Sequence, residues 1–492
     1  MKEVTIEMEG IDGLISTYIN KDKWRGHLTG NKFKILPFKT KFSQNCMPDL
    51  RSFHGVVGEC FRISRDEKFS KELNGNKKES FNHNLRDFII DNVQKEVNTK
   101  HFDRLKDVII NLFFEDDHSL IKFSKDTLPY LNFFIQSNHL EEISYFVYSI
   151  FLKGDILKDE DLTKSTNDNL LYKLVLESLP DLEIKTGSND RKEYKNIFPQ
   201  IKDLFQKDFK FIASSEELYL NHIQDLYKYY FFFYLSQLAR FFNSFGADKE
   251  IKPIYFSMDW ETLSASRLAY LSGWVILKRD SNGLFSHIFT LELLNYILVA
   301  NDSIGDYFEI QETSKSLATE EKTKLIESIR LISEFYKGNI SKFYAGYNWE
   351  KCENEVAGYF LRNPKKYNCE VQKEIIRLYK LIKYQFDHSE RGAAHERYGK
   401  WFEHFCKINF VKNRGRLGGT TVLNQEYLLF LTKLCIGKKD KIRLNELWHQ
   451  LRLRGLVFDE TSKGEIIKLF EKINLLEKKS DSGDAQYVKS TI

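Results

Sequence analysis

Ten basic residues near the end of this chain, Lys412, Arg414, Arg416, Lys438, Lys439, Arg443, Arg452, Arg454, Lys463 and Lys468, are of the type that contacts a phosphate backbone. Guanidinium groups fork onto phosphate oxygens, lysines act as point charges, and neither contact depends on base sequence. Arg414 and Arg416 lie in the stretch 412–421, KNRGRLGGTT, whose glycines would let backbone amides and guanidiniums close on one anion. A flexible hinge is the plain alternative for that loop. Arg414, Arg416, Arg443, Arg452 and Arg454 are the expected phosphate contacts. Between positions 396 and 456 there are 13 Lys/Arg against five Asp/Glu, a surplus of eight. The whole chain carries only +4, so the rest is acidic on balance by four. A basic segment on an acidic body is the electrostatic footprint of a polyanion site, although a solvated face with no partner would give the same count.

Other chemistry is thinner. The phosphate-cradling GxxxxGK[ST] loop, HExxH, GxSxG and GxGxxG are all absent. The segment 180–185, PDLEIK, superficially resembles the Asp and ExK pair that holds a divalent ion in restriction-type nucleases. Its Asp181 and Glu183 are too close in sequence to occupy separate strands, and ExK recurs at Glu193, Glu250, Glu320 and Glu477. His395 and His404, nine residues apart near Cys406, would point to opposite sides of a helix at about 3.6 residues per turn. None of the six cysteines forms a CxxC pair, so reduced core cysteines are expected. No catalytic residue, metal ligand or cofactor is assigned. The first residues lack the pattern of a secretory leader. The most apolar run, 229–235, is too short to span a bilayer and reads as a buried aromatic helix. A cytoplasmic protein without a membrane partner is expected.

These side chains need a scaffold, and the composition makes it helical. Seven prolines and 25 glycines in 492 residues are too few for an all-β chain, and 42% hydrophobic residues are enough for real cores. Apolar residues three and four apart predict helices over 84–97, 102–114, 139–152, 216–245, 263–277, 289–300, 320–336 and 371–386. Residues 31–39 look extended, 51–62 could open a helix with glycines at close contacts, and 71–79 looks like a loop. Linkers are expected at 185–192 and 248–253. The expected organisation is a small mixed region at 1–80, helical domains at 81–250 and 251–410, and a terminal module at 423–492.

That module carries the pattern of a winged helix-turn-helix. A first helix at 425–435 precedes a turn and a short strand at 441–444. Asn445 would cap a second helix at 446–453, and Gly455 would end it in a left-handed conformation. Ser462 and Glu465 suit a capping box for a third helix, striped by Ile466, Phe470 and Ile473. Strands at 475–479 and 485–489 would flank a wing tip at 480–484, where Asp481 and Asp484 would repel phosphate. The third helix would enter the major groove.

The stretches 391–398 (RGAAHERY), 412–421, 425–431 (QEYLLFL) and 478–488 (KKSDSGDAQYV), with a weaker echo at 36–39 (LPFK), resemble the DptG family. These are the DNA phosphorothioation-dependent restriction proteins G of bacterial Dnd antiviral defence systems. The resemblance covers about the last 100 residues and brings no catalytic motif. It implies a protein complex that restricts unmodified double-stranded DNA, with companion F- and H-type subunits supplying the ATPase. The expected role is a non-catalytic DNA-binding and assembly subunit. A structural adaptor, as in kleisin-like defence condensin subunits, is the first alternative, and a divergent metal-dependent nuclease is the second.

Overall fold

The computed structural model describes residue 8 and residues 10–490, except 75–77, 98–99, 117–118, 134–137, 158–168, 186–190, 299–304, 343–345, 364–368 and 480–485. Its architecture is mainly helical with small sheets. The first half contains α1 (His54–Ser64), α2 (Lys78–Val97), α3 (Phe102–Phe113), α4 (Asn138–Val147), α5 (Leu170–Glu177), α6 (Pro199–Ala213) and α7 (Glu216–Asn243). After these come α8 (Trp274–Ser281), α9 (Leu284–Ile297), α10 (Thr319–Ile340), α11 (Glu370–Asp387) and α12 (Gly392–Asn409).

Helix α7 organises the body. Ser215 caps it by accepting from the Leu218 amide, Glu216 and Glu217 complement its positive end, and Arg240 sits in its last turn. Phe245 and Gly246 then take left-handed conformations and stop it. Every residue from Tyr229 to Leu235 is buried, as the aromatic run predicts. A helix that is apolar all round must be covered all round; α6, α8, α1 and α9 do this.

Covering α7 merges the expected domains. One apolar cluster runs from Leu14 through Phe61, Phe146, Tyr230, Phe289 and Leu431 to Val488. The expected boundaries near 250 and 410–423 fall inside it, and that near 80 falls inside a second cluster. The division that does appear is a smaller cluster made by α2, α3 and α5, with Leu85, Ile89, Val93, Phe113 and Val175. The helices expected at 84–97, 102–114, 216–245, 320–336 and 371–386 correspond to α2, α3, α7, α10 and α11. That at 139–152 is α4 with a wider helical turn, Tyr148–Leu152. The one at 289–300 begins earlier, as α9. Glycines in α1 do make close contacts: a Cβ on Gly58 would lie 2.0 Å from the Leu131 carbonyl oxygen. Residues 31 and 32 form a bend and 33–39 form no helix or strand beyond one parallel bridge from Lys34 to Tyr194. The loop expected at 71–79 contains a short helix, Lys71–Asn74, and the start of α2. Part of the 185–192 linker lies outside the described residues.

One expectation fails for a tertiary reason. The helix at 263–277 is broken into Leu268–Leu271 and α8. A Cβ at the intervening Gly273 would meet Thr421 Oγ1 at 2.3 Å and the Tyr255 carbonyl at 2.8 Å, so the chain is pinched against a sheet there. The linker at 248–253 leads into that sheet through β1 (Ile254–Met258), a strand buried on both faces and therefore without alternation. The same sheet contains β2 (Val411–Asn413), β3 (Gly419–Leu423) and a strand from the terminal segment. That segment comprises α13 (Gln425–Ile436), β4 (Lys441–Arg443), α14 (Leu444–Leu453), β5 (Leu456–Phe458), α15 (Glu460–Lys472), β6 (Leu476–Lys478) and β7 (Gln486–Lys489).

The four-stranded sheet has the order β5-β1-β3-β2, parallel across β5/β1 and β1/β3 and antiparallel across β3/β2. Leu456 lies opposite Ile254 and Ser257 opposite Val422. A three-stranded antiparallel sheet, β4-β7-β6, closes the terminal segment. No helix among the described residues is long and apolar enough to cross a membrane.

Candidate nucleic-acid interface

The terminal elements follow in the expected order, with local differences. Asn424 caps α13 by accepting from the Tyr427 amide. Helix α14 begins two residues early: Arg443 occupies its cap, and Asn445 sits in the first turn. Asp459, rather than Ser462, caps α15, and Ser462 is buried inside the first turn. Gly455 ends α14 at φ +80° as expected. A Cβ there would lie 2.3 Å from the Phe233 ring, so close packing on α7 adds a second requirement for glycine. Strands β6 and β7 pair as a wing hairpin would, but the expected tip at 480–484 lies outside the described residues.

The ten expected contact residues do not form one face. Arg454 is fully buried, and its assignment to DNA is corrected here. Its Nε and Nη2 fork onto Asp208 of α6 at 2.8 and 2.6 Å, and Nη2 also donates to the Leu434 carbonyl. Tyr230 donates to the same Asp208 carboxylate at 2.6 Å, and Tyr229 donates to the Arg454 carbonyl. This guanidinium locks the terminal segment to α6 and α7.

Arg414 is corrected likewise. The 412–421 stretch is the β2–β3 hairpin, turned at Gly415 and Gly418 with φ +59° and +72°, not a loose hinge. Half-buried, Arg414 donates to the Met258 and Glu261 carbonyls and to Thr420 Oγ1, fastening the hairpin to the end of β1. Lys412 is exposed and donates to the Asp259 carbonyl at 2.7 Å. Arg416 stands exposed at the turn.

The first turn of α15 is also docked on the body. Arg267 forks onto Asp459 at 3.0 and 2.6 Å and donates to Ser462 Oγ at 2.8 Å. Buried Glu261 accepts from Arg267, Ser462 Oγ and the Met258 amide. The end of the helix expected to enter a groove is thus held against residues 258–269. Burial pushes the Asp459 carboxyl up, but hydrogen bonds from Arg267 and the Ser462 and Ala269 amides outweigh it and hold it below its ordinary 3.8. A carboxyl depressed by folding lends stability that is complete above its unfolded value and lost as pH falls through its folded one. Amide hydrogen exchange should therefore show α15 undocking only below about pH 4. Arg267→Ala should move that onset to higher pH; an unmoved onset would show that this pair is not the latch.

Lys463 and Lys468 make surface pairs with Glu460 and Glu465 at 2.7 and 2.8 Å. Such pairs are worth about 0–1 kcal/mol, so a phosphate could replace the acid. Arg416, Lys438, Lys439, Arg443 and Arg452 are exposed, and none makes an ion pair among the described residues. Lys438, Lys439 and Arg443 cluster around β4, at the turn before it and at its end. Arg452, nine residues beyond Arg443, is about half a turn out of phase with it on α14. It faces instead a cleft of about 300 Å³ floored by Tyr255 and Val457 and walled by Leu268 and Trp448.

The side residues read for other chemistry have ordinary neighbours. Glu183 pairs with Lys68 at 3.3 Å on a two-stranded surface ribbon. His395 is buried, bonded to Ser286 Oγ at 2.8 Å, and desolvation lowers its pKa to about 4. His404 stacks on Phe42. Among the described residues no three His, Cys, Asp or Glu side chains gather as metal ligands would. Asp208, which withdraws Arg454 from the surface, and the Glu261–Arg267–Asp459 network that docks α15 carry no local sequence signal, because their partners lie about 200 or more residues away. No family model matches the chain, and no curated protein matches it.

Proposed function

We propose that this chain is a non-catalytic DNA-binding and assembly subunit of a bacterial phosphorothioation-dependent restriction complex, working with F- and H-type companions that supply the ATPase. Its terminal segment is taken as a winged helix-turn-helix in which β5 is diverted into the sheet of the body. One observation carries the DNA reading: Lys438 and Lys439 in the turn before β4 and Arg443 at its far end are exposed and without acid partners among the described residues. The resemblance at 391–398, 412–421, 425–431 and 478–488 supplies the restriction context.

The contact set is now Lys438, Lys439 and Arg443, with Arg416 and Arg452 secondary. Each phosphate neutralised steepens the dependence of log affinity on log salt by about 0.9. Duplex binding by the purified protein should weaken with salt, and the combined Lys438→Ala, Lys439→Ala, Arg443→Ala variant should flatten the slope by about 3 across all sequences. Absence of duplex binding at low salt would refute the reading.

The docked first turn of α15 favours a second reading, a structural adaptor whose terminal segment meets protein only. In that case the triple variant would still co-purify with companion subunits, and the isolated chain would shift no duplex in a gel.

A further inference from the structure

Around the break at Gly273 the described residues leave an apolar surface uncovered. Trp274 and Leu277 of α8 are buried, whereas Val275 between them is 46% exposed. Leu268 and Leu271 of the preceding short helix are 48% and 50% exposed. Single exposed leucines are ordinary on any protein. Three aliphatic side chains on one short stretch, opening into a cleft, mark a contact surface. The cleft is the one of about 300 Å³ that Leu268 lines together with Tyr255, Trp448, Val457 and Arg452. A concave apolar site of this kind receives an inserted side chain, the usual anchor of an interface.

The charges around this surface are of one sign. Between residues 262 and 279 the exposed positions include Lys278 and Arg279 but no carboxylate. Lys278, three residues beyond Val275, makes no ion pair among the described residues, and neither does Arg452 in the cleft. Arg279 pairs with buried Asp280 at 2.9 Å but remains 65% exposed. Both carboxylates of the cleft are already matched, Asp459 by Arg267 and Glu460 by Lys463.

We propose that this surface docks an acidic amphipathic helix of a partner protein. The apolar stripe of that helix lies along Leu268, Leu271 and Val275, and one of its side chains enters the cleft. Its carboxylates meet Arg452 at one end and Lys278 and Arg279 at the other. The stretch 268–279 is mostly helical, so at about 1.5 Å per residue it has room for roughly three turns of a partner. A second copy of this chain fits poorly, because a two-fold contact would set cations opposite cations. Duplex DNA would meet the cations but leave the leucines in water. The proposal therefore rests on the assembly part of the function given above and is independent of DNA binding.

Photo-crosslinking in the native complex tests it. With p-benzoylphenylalanine placed at Leu271 of the full chain, irradiation in the cells of origin should capture one protein partner. Mass spectrometry of the joined peptides should identify the captured segment as acidic, with apolar residues three and four apart. A synthetic peptide of that segment should then bind the purified chain. Leu271→Asp should weaken this binding at least about tenfold, roughly 1.4 kcal/mol. The double variant Lys278→Glu, Arg452→Glu should do the same, and exchanging the acidic residues of the peptide for lysine should restore its binding. All three positions are exposed, so these variants should fold as the wild type does. The proposal is overturned by absence of a crosslinked protein, or by capture of a second copy, a lipid or a segment without carboxylates. Peptide binding that the variants leave unchanged also overturns it.

Discussion

Arg454→Ala should destabilise the protein by about 3–5 kcal/mol, the usual cost of leaving one partner of a buried ion pair behind. The remaining Asp208 carboxylate would keep the Tyr230 hydroxyl but lose both guanidinium bonds, and it has no route to water. Replacing both partners with apolar residues, Arg454→Met with Asp208→Leu, should recover much of the loss, because no buried charge is then stranded. Urea denaturation of the two singles and the double checks this as a cycle. Singles within 1 kcal/mol of wild type, at the level of an exposed pair, would show that Arg454 is not the fastening of the terminal segment. The same variant separates structure from DNA contact. Wherever Arg454→Ala remains folded, its salt slope on duplex should equal that of the wild type.

Glu292→Ala should be the second large effect, about 2–4 kcal/mol. Glu292 lies fully buried in α9 and gathers three consecutive backbone amides of the N-terminal segment. Its Oε1 accepts from Asn31 and Lys32 at 2.9 and 2.8 Å, and Oε2 accepts from Gly30 at 3.2 Å. Alanine leaves all three donors unpaired at about 1–3 kcal/mol each, discounted because residues 30–32 are partly open to water. Glu292→Gln should cost less, about 1 kcal/mol, since one amide oxygen can keep the Asn31 and Lys32 bonds and only Gly30 then faces a donor. Denaturation midpoints for the two variants in the opposite order would mean that the carboxylate does not hold this segment. The effect should also appear locally, as faster amide exchange at residues 30–32.

Both predictions involve contacts that the sequence hides. The helical class, the burial of 229–235 and the left-handed Gly455 follow from local patterns: three-and-four spacing, an all-round apolar run, and a glycine after a helix. Strand β1 was invisible because IYFSM is buried on both faces and shows no alternation. The same compact apolar run could equally begin a helix. The broken helix at 263–277 has a helical pattern, but Gly273 is pressed between Tyr255 and Thr421, the second supplied by a distant part of the chain.

The candidate interface divides in the same way. Composition by itself determined that positive charge is gathered in the last part of the chain on an acidic body. Only the tertiary structure decided which of those charges are free. Arg454 and Asp208 are 246 residues apart, and Arg414 reaches carbonyls 156 and 153 residues away. Periodicity records what a residue shares with its near neighbours along one element. A charge is spent or spared by whatever folding brings beside it, and in this protein those partners come from across the whole chain.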